Sequence, residues 1–300
     1  MKNNVAILLS TYNGEKFIGS QIDSVLNQAE CKIDIFIRDD GSEDKTVQII
    51  KECQKLHPNI HLSEGINVGY RNSFLNLIFS ISGFDYYAFC DQDDIWLETK
   101  IKAAIDFLGG VNKEALYACK KIYVDEDLNP LQIKDRSLPL NLDYGFFRGG
   151  ICGCTMVWNS SLHSIIQRAK PLQNFKSHDD YLRCLAIAIG AKTYLDENPY
   201  ILYRRHSKNQ SLLPNERIKR VFLKGAKQFG SRKDLKFICL DLLNNYKEEL
   251  TDEALRFIEL ILSKDSFNSR ISLIKSEHLK TIPSYEEVLL KAMILLKGIN

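Results

Sequence analysis

Apolar positions along this chain recur with two spacings that take turns. Val5–Leu9 is an unbroken apolar run of strand length. Phe17, Ile18, Ile22, Val25 and Leu26 then repeat at helical intervals and predict a helix over 15–28. The alternation continues with a strand at 33–38 and a helix at 46–56, entered through the capping oxygens of Ser42-Glu43-Asp44. A short strand at 60–62, a helix at 72–82, an aromatic-rich strand at 86–90 and a helix at 97–108 follow. Beyond residue 115 the pattern is mixed, with strands at 116–124, 154–158, 192–195 and 200–203. A helix at 179–189 turns Leu182, Leu185, Ala186 and Ile189 inward. Residues 215–300 carry helical period alone, broken at Gly225, Gly230 and Pro283. Strands and helices alternating in this way predict an α/β fold: a mostly parallel central sheet flanked by helices, with a C-terminal helical extension.

In such sheets ligands gather beyond the carboxyl ends of the strands. Three polar clusters sit there: Ser10-Thr11-Tyr12-Asn13, Asp39-Asp40-Gly41-Ser42 and Asp91-Gln92-Asp93-Asp94. Composition narrows the field without naming a function. The 300 residues, 45% apolar, are enough to bury a large core. A net charge of +2 argues against a dedicated nucleic-acid binder. None of the eight cysteines shows the two-residue gap of a zinc knuckle, and Cys152-Gly153-Cys154 is too tight to chelate one ion comfortably. Reduced, buried thiols in a cytoplasmic protein are therefore expected. The apolar run at the start is too short for an export signal, and no stretch is long enough to span a membrane.

Asp91-Gln92-Asp93, placed after an apolar strand, offers two carboxylates that can aim at one ion. Mg²⁺ and Mn²⁺ take oxygen ligands and need few from protein when phosphates complete the shell. The competing reading is a turn capped by aspartates. His178-Asp179 opens a helix, where a carboxylate is favoured by the helix dipole and can also be a plain cap. Arg204 and His206 follow a short strand; they can bind phosphate, or be solvated charge. Taken alone, the residues support a divalent cation, a nucleoside diphosphate and a base. A phosphatase of the haloacid-dehalogenase type also places Asp-x-Asp after a strand, but has no use for the first two clusters. A non-catalytic carbohydrate-binding domain is disfavoured by the intact carboxylates at Asp40, Asp91, Asp93 and Asp179. The single Gly14 after the first strand rules out a dinucleotide fingerprint.

The segments Ser10-Thr11-Tyr12-Asn13-Gly14, Asp39-Asp40-Gly41-Ser42 and Cys90-Asp91-Gln92-Asp93-Asp94-Ile95-Trp96 resemble the family 2 glycosyltransferases of GT-A fold. The bacterial rhamnosyltransferase-like branch is the most similar. The likeness continues through Gly153-Cys154-Thr155-Met156, His178-Asp179 and Leu202-Tyr203-Arg204-Arg205-His206, and covers roughly residues 4–212. The resemblance implies a nucleotide-sugar donor, dTDP- or UDP-linked, with Mn²⁺ or Mg²⁺ as cofactor. It implies that Thr11, Tyr12, Asn13 and Glu15 cup the base and ribose, and that Asp40 accepts from the base ring N–H while Asp39 orients the loop. It places Asn67, Gly69 and Asn72 beside the base. Asp91 and Asp93 handle ribose and metal, Asp93 as the direct ligand, and Arg204 and His206 clamp the diphosphate. Asp179 is the general base of an inverting transfer, with Asp180 as a competitor, because the branch has aromatics there. The domains expected are a transferase domain at 1–212, split into a nucleotide-binding half (1–110) and an acceptor half (111–212), and a helical region at 213–300. The acceptor implied is an oligosaccharide or lipid-linked sugar of a cell-surface polysaccharide. Basic residues crowd 204–236 with Val221, Phe222, Leu223 and Phe229 among them, which suits peripheral contact with the inner face of a membrane, or a solvated face.

Overall fold

The computed structural model describes residues 2–135, 140–142, 151–169, 177–207, 209, 232–263, 271 and 274–275. The chain divides into two compact units. The first takes residues 1–138, 150–168 and 191–208, and the second 139–149, 169–190 and 209–300. A boundary at 212 falls outside the described residues, as do Gly149-Gly150, most of the basic stretch and most of the last forty residues.

The first unit holds one eight-stranded sheet. Its elements in chain order are β1 (Asn4–Thr11), α1 (Ile18–Leu26), β2 (Lys32–Asp39), α2 (Thr46–Leu56), β3 (Ile60–Glu64), α3 (Tyr70–Ser80), β4 (Tyr86–Cys90), β5 (Ile95–Trp96), α4 (Lys100–Leu108), β6 (Ala115–Val124), β7 (Met156–Asn159), α5 (Ser160–Ile166) and β8 (Lys192–Arg204). The strand order is β3-β2-β1-β4-β7-β6-β8-β5. β1 lies between β2 and β4, parallel to both. That position explains its composition: Val5 to Leu9 are fully buried because both neighbours and both faces are covered. β2 alternates instead, burying Ile33, Ile35 and Ile37. Beyond β4 the sheet turns mixed, since β7 runs antiparallel to both β4 and β6, and β5 antiparallel to β8.

Three local features differ from the sequence reading. Residues 192–204 form one strand, not two. Register shifts against β6 around Asp196–Pro199 absorb the polar break, and Asp196 accepts from Tyr117 Oη at 2.8 Å. α5 had no periodic signal, being under two turns long; Asn159 caps it by accepting from the Leu162 N–H at 3.1 Å. β5 is two residues long; it pairs with β8, and the Trp96 N–H donates to Ser24 Oγ at 3.1 Å. The entry to α2 is capped through Asp44, which accepts from the Thr46 N–H at 3.0 Å.

In the second unit the described helices are α6 (His178–Ala188), α7 (Arg232–Asn245) and α8 (Asp252–Leu262). Tyr181 Oη donates to Asp241 Oδ2 at 2.6 Å, tying α6 to α7. Thr251 caps α8 by accepting from the Ala254 N–H, and its own N–H reaches Ala188 O at 3.0 Å. Among the described residues no helix is long and apolar enough to cross a membrane.

Candidate active site

β1, β2 and β4 are parallel neighbours, so their carboxyl ends share one edge of the sheet. Thr11 stands opposite Asp39, and Leu9 opposite Cys90. The three polar clusters read from the sequence therefore open on the same edge.

The loop after β1 is fastened at every step. Thr11 Oγ1 donates to Gln92 Oε1 at 2.6 Å, and the Tyr12 N–H reaches the same oxygen at 2.8 Å. Gln92 Nε2 returns a bond to Tyr12 O. Gln92, which carries no local mark of a role, thus bridges the first and third clusters. Gly14 permits this approach, since a Cβ there would lie 2.4 Å from Gln92 Oε1. Asn13, at φ 47°, accepts from the Glu43 N–H, and Glu15 Oε2 accepts from the Lys45 N–H. The Asn13 and Glu15 side chains therefore join this loop to the start of α2, while Tyr12 is 43% exposed.

The β2 pair is enclosed. Asp39 accepts from the Gly41 and Ser42 N–H groups and from Ser42 Oγ. Asp40 accepts from Arg38 Nη1 at 2.5 Å, the Val68 N–H at 2.9 Å and the Gly69 N–H at 2.8 Å. A carboxylate has about four acceptor positions, so Asp40 keeps one for a further donor. Gly69 precedes α3 at φ 82°, a conformation that favours glycine. Asn67 Oδ1 also accepts from the Gly69 N–H, and Asn72 Nδ2 donates to Val68 O, so both hold the segment that wraps Asp40.

The third cluster is different. Asp91 is half-buried; burial, then the neighbouring Asp93 carboxylate and Cys152, push its carboxyl up to about 7. Asp94 is fully buried and is pushed well up by burial, then by Asp93 and Asp91. The end of β8 latches onto this loop. The Arg204 N–H reaches Asp94 Oδ1 at 3.1 Å, Arg204 Nε donates to Asp93 O at 2.9 Å, and Arg204 Nη1 donates to Glu126 O. Arg204 is 4% exposed, so these main-chain bonds hold the acid loop. His206 Nε2 sits 2.7 Å from Asp93 Oδ2, and its ring stacks on Phe17 with centroids 5.1 Å apart. Arg204 also lies over Phe17. Phe17 was assigned only to helix period, and nothing in that period marks it as a platform. Carboxylates crowded this closely, with a His on one of them, fit a hard divalent cation; Asp91 and Asp93 would hold it.

Asp179 and Asp180 lie in the first turn of α6, in the second unit. Asp179 Oδ1 accepts from the Asp180 N–H at 2.9 Å, and Asp180 Oδ1 pairs with Arg183 Nη2 at 2.7 Å. The cysteines are all free, as expected, but Cys31, Cys53 and Cys152 are only partly buried.

The profile of Glycosyl transferase family 2 matches residues 6–166, more than half the chain. A dTDP-rhamnosyl transferase, RfbG of Shigella flexneri, is 34% identical over 67% of this chain and 73% of its own length. An Escherichia coli UDP-Glc:alpha-D-GlcNAc-diphosphoundecaprenol beta-1,3-glucosyltransferase, WfaP, is 31% identical over 41% of this chain, which spans about half of that relative. Among solved structures, S. aureus TarS in complex with UDP-GlcNAc aligns with all of this chain and 88% of its own at a TM-score of 0.60 and 16% identity. The mannosyltransferase PcManGT of Pyrobaculum calidifontis, in complex with GDP-Man and Mn²⁺, aligns with all of this chain and 82% of its own at 0.54 and 14%. These matches displace the phosphatase reading and agree with a GT-A arrangement of sheet and helices. With its three polar strand ends on one sheet edge, the chain belongs to glycosyl transferase family 2 and is a glycosyltransferase.

Proposed function

We propose that the chain transfers a hexosyl group, rhamnosyl first among them, from a dTDP- or UDP-linked donor to an oligosaccharide or lipid-linked acceptor of a cell-surface polysaccharide, with inversion. The observation that carries the reading is the mutual proximity of the Asp91, Asp93 and Asp94 carboxylates at the edge where β1 and β2 also end. Asp91 and Asp93 would hold Mn²⁺ or Mg²⁺, which neutralises charge on the departing diphosphate when bound. Tyr12 is exposed at the head of the first loop and is assigned to the base. Asp40 offers its remaining acceptor position to a pyrimidine ring N–H, held in place by Arg38, Val68 and Gly69. Thr11, Asn13, Glu15, Asn67 and Asn72 shape that pocket by fixing its loops. Arg204 keeps the acid loop in register, and His206 orients Asp93 beside the phosphates. Asp179 takes the acceptor proton. Asp180, which pairs with Arg183, is its competitor for that role.

The Shigella relative supports a dTDP-rhamnosyl donor, and the E. coli relative a lipid-linked acceptor. The basic stretch 204–236 supports contact with an anionic membrane face. A panel of dTDP-, UDP- and GDP-sugars, scored by thermal shift with and without Mn²⁺, tests the donor half. A metal-dependent shift with dTDP- or UDP-sugars is expected; none with any of them overturns it. Transfer should fail in Asp179→Asn and persist in Asp180→Asn, and the reverse result would move the base by one residue.

A further inference from the structure

Three basic side chains gather around one aromatic ring beside Asp93. The His206 ring stacks on Phe17, and the Arg204 guanidinium lies 4.6 Å from the Phe17 centroid. Lys16 Nζ lies 5.1 Å from the same centroid. Two of the three are engaged with the acid loop: buried Arg204 donates to Asp93 O and to Glu126 O, and His206 meets Asp93 Oδ2. Lys16 differs. Its side chain is 64% exposed, and its ammonium donates to Glu126 Oε2, 110 positions along the chain.

The fold sets Glu126 in that place. It lies in the turn after β6, where Asp125 Oδ1 accepts from the Asp127 N–H at 3.0 Å and the Asn129 N–H at 2.9 Å. The Arg205 N–H holds Val124 O at 2.8 Å, and Arg204 Nη1 holds Glu126 O. The arginine that braces the acid loop therefore also fixes the Glu126 backbone. The hydrogen bond from Lys16, and then the Lys16, His206 and Arg204 charges, keep the Glu126 carboxyl below the usual range. An acidic side chain thus stands in the field of the same cations that flank Asp93.

We propose that Lys16 binds the diphosphate of the nucleotide donor, and that Glu126 competes with that diphosphate for it. This rests on the nucleotide-diphosphate donor proposed above. An exposed lysine–carboxylate pair contributes little, because water screens both ends. A diphosphate offers the ammonium's three donors more charge and more oxygens than one carboxylate does. The flexible lysine stem lets the ammonium pass between the two acceptors, whereas the planar Arg204 fork is already fixed on carbonyls. Glu126 takes Lys16 back as the nucleoside diphosphate leaves, so it loosens the hold on that product.

The test is calorimetric binding of dTDP and of UDP to the full chain with Mn²⁺. Lys16→Ala should weaken the tighter of the two by roughly tenfold, and Lys16→Arg should keep most of the affinity. Glu126→Gln should tighten binding several-fold. Without nucleotide, the melting temperatures of Lys16→Ala and Glu126→Gln should match the wild type, since both side chains are exposed. Unchanged affinity in Lys16→Ala overturns the contact. Unchanged or weaker binding in Glu126→Gln overturns the competition. Affinity lost in Lys16→Ala together with a lowered melting temperature would make Lys16 a structural residue and also overturns the contact. A wild-type protein that binds neither nucleotide ends the donor reading and this proposal together; one that binds as Lys16→Ala does ends this proposal alone.

Discussion

Two carboxylate pairs follow the two strands that flank β1, and their surroundings are opposite. Asp39 and Asp40 each accept three hydrogen bonds from the chain, and Arg38 adds a counter-charge. Asp91 and Asp94 face Asp93 and Cys154; of the two, only Asp94 receives a main-chain N–H among the described residues, from Arg204. The first pair is filled from within except for one acceptor position of Asp40, and it shapes a loop. The second is left for a ligand to complete, and until then its like charges raise one another's affinity for protons. Identical side chains at equivalent strand ends are thus divided between architecture and chemistry by the donors that reach them.

The contrast can be broken by substitution. Asp40→Ala should cost about 3–5 kcal/mol of stability, because it strands a buried guanidinium and two N–H groups. A denaturation midpoint shifted by under about 1 kcal/mol would deny the architectural role. Asp93→Asn should leave that midpoint nearly in place yet lower sugar transfer by about 10²–10³-fold. Equal loss of stability and activity would erase the difference between the pairs.

The scaffold behind both loops needs its own control, because it is acid-sensitive. His163 is held neutral: Trp158 Nε1 donates to its Nδ1 at 3.2 Å, so its proton sits on Nε2, facing Ile81 O at 2.8 Å. Burial lowers its pKa to about 4. The unfolded chain binds that proton more readily, so the stability contributed is complete above about pH 6.5 and is lost as pH falls towards 4, roughly 3 kcal/mol in all. His163→Gln should reduce the slope of melting temperature against pH over that window, the remainder coming from His178, whose pKa burial lowers to about 3; an unchanged slope would assign the acid sensitivity elsewhere. The smallest effect expected is that of Gln92→Ala. Losing the bridge between the first and third clusters should cost about 1–2 kcal/mol and raise the donor KM more than it lowers kcat. No change in KM would mean that the β1 loop holds its shape without the acid loop.

Much of the fold was legible because burial imposes period. The apolar run Val5–Leu9 announced a central strand, and α1 buries Ile18, Ile22 and Val25 as their spacing required. The polar clusters were legible as strand ends. What stayed hidden is what forms only by contact between distant segments. β8 continues through Asp196–Pro199 because β6 templates it, although the local sequence reads as a break. Gln92 and Arg204 carry no local mark of bracing, yet the partners named here lie 78 or more residues away. Phe17 looked like one helix residue among several until His206 stacked on it.

By itself the sequence determined the strand and helix alternation, the position of the acidic clusters at strand ends and the resemblance to a family of sugar transferases. These follow from side-chain period and from short motifs read in order. The tertiary structure alone decided which carboxylates are satisfied and which are not, and that Cys154 joins Asp91 and Asp94. The reason is physical: a carboxylate's charge state and partners depend on the dielectric and the donors within a few ångströms, and those are supplied by residues the chain order keeps far apart.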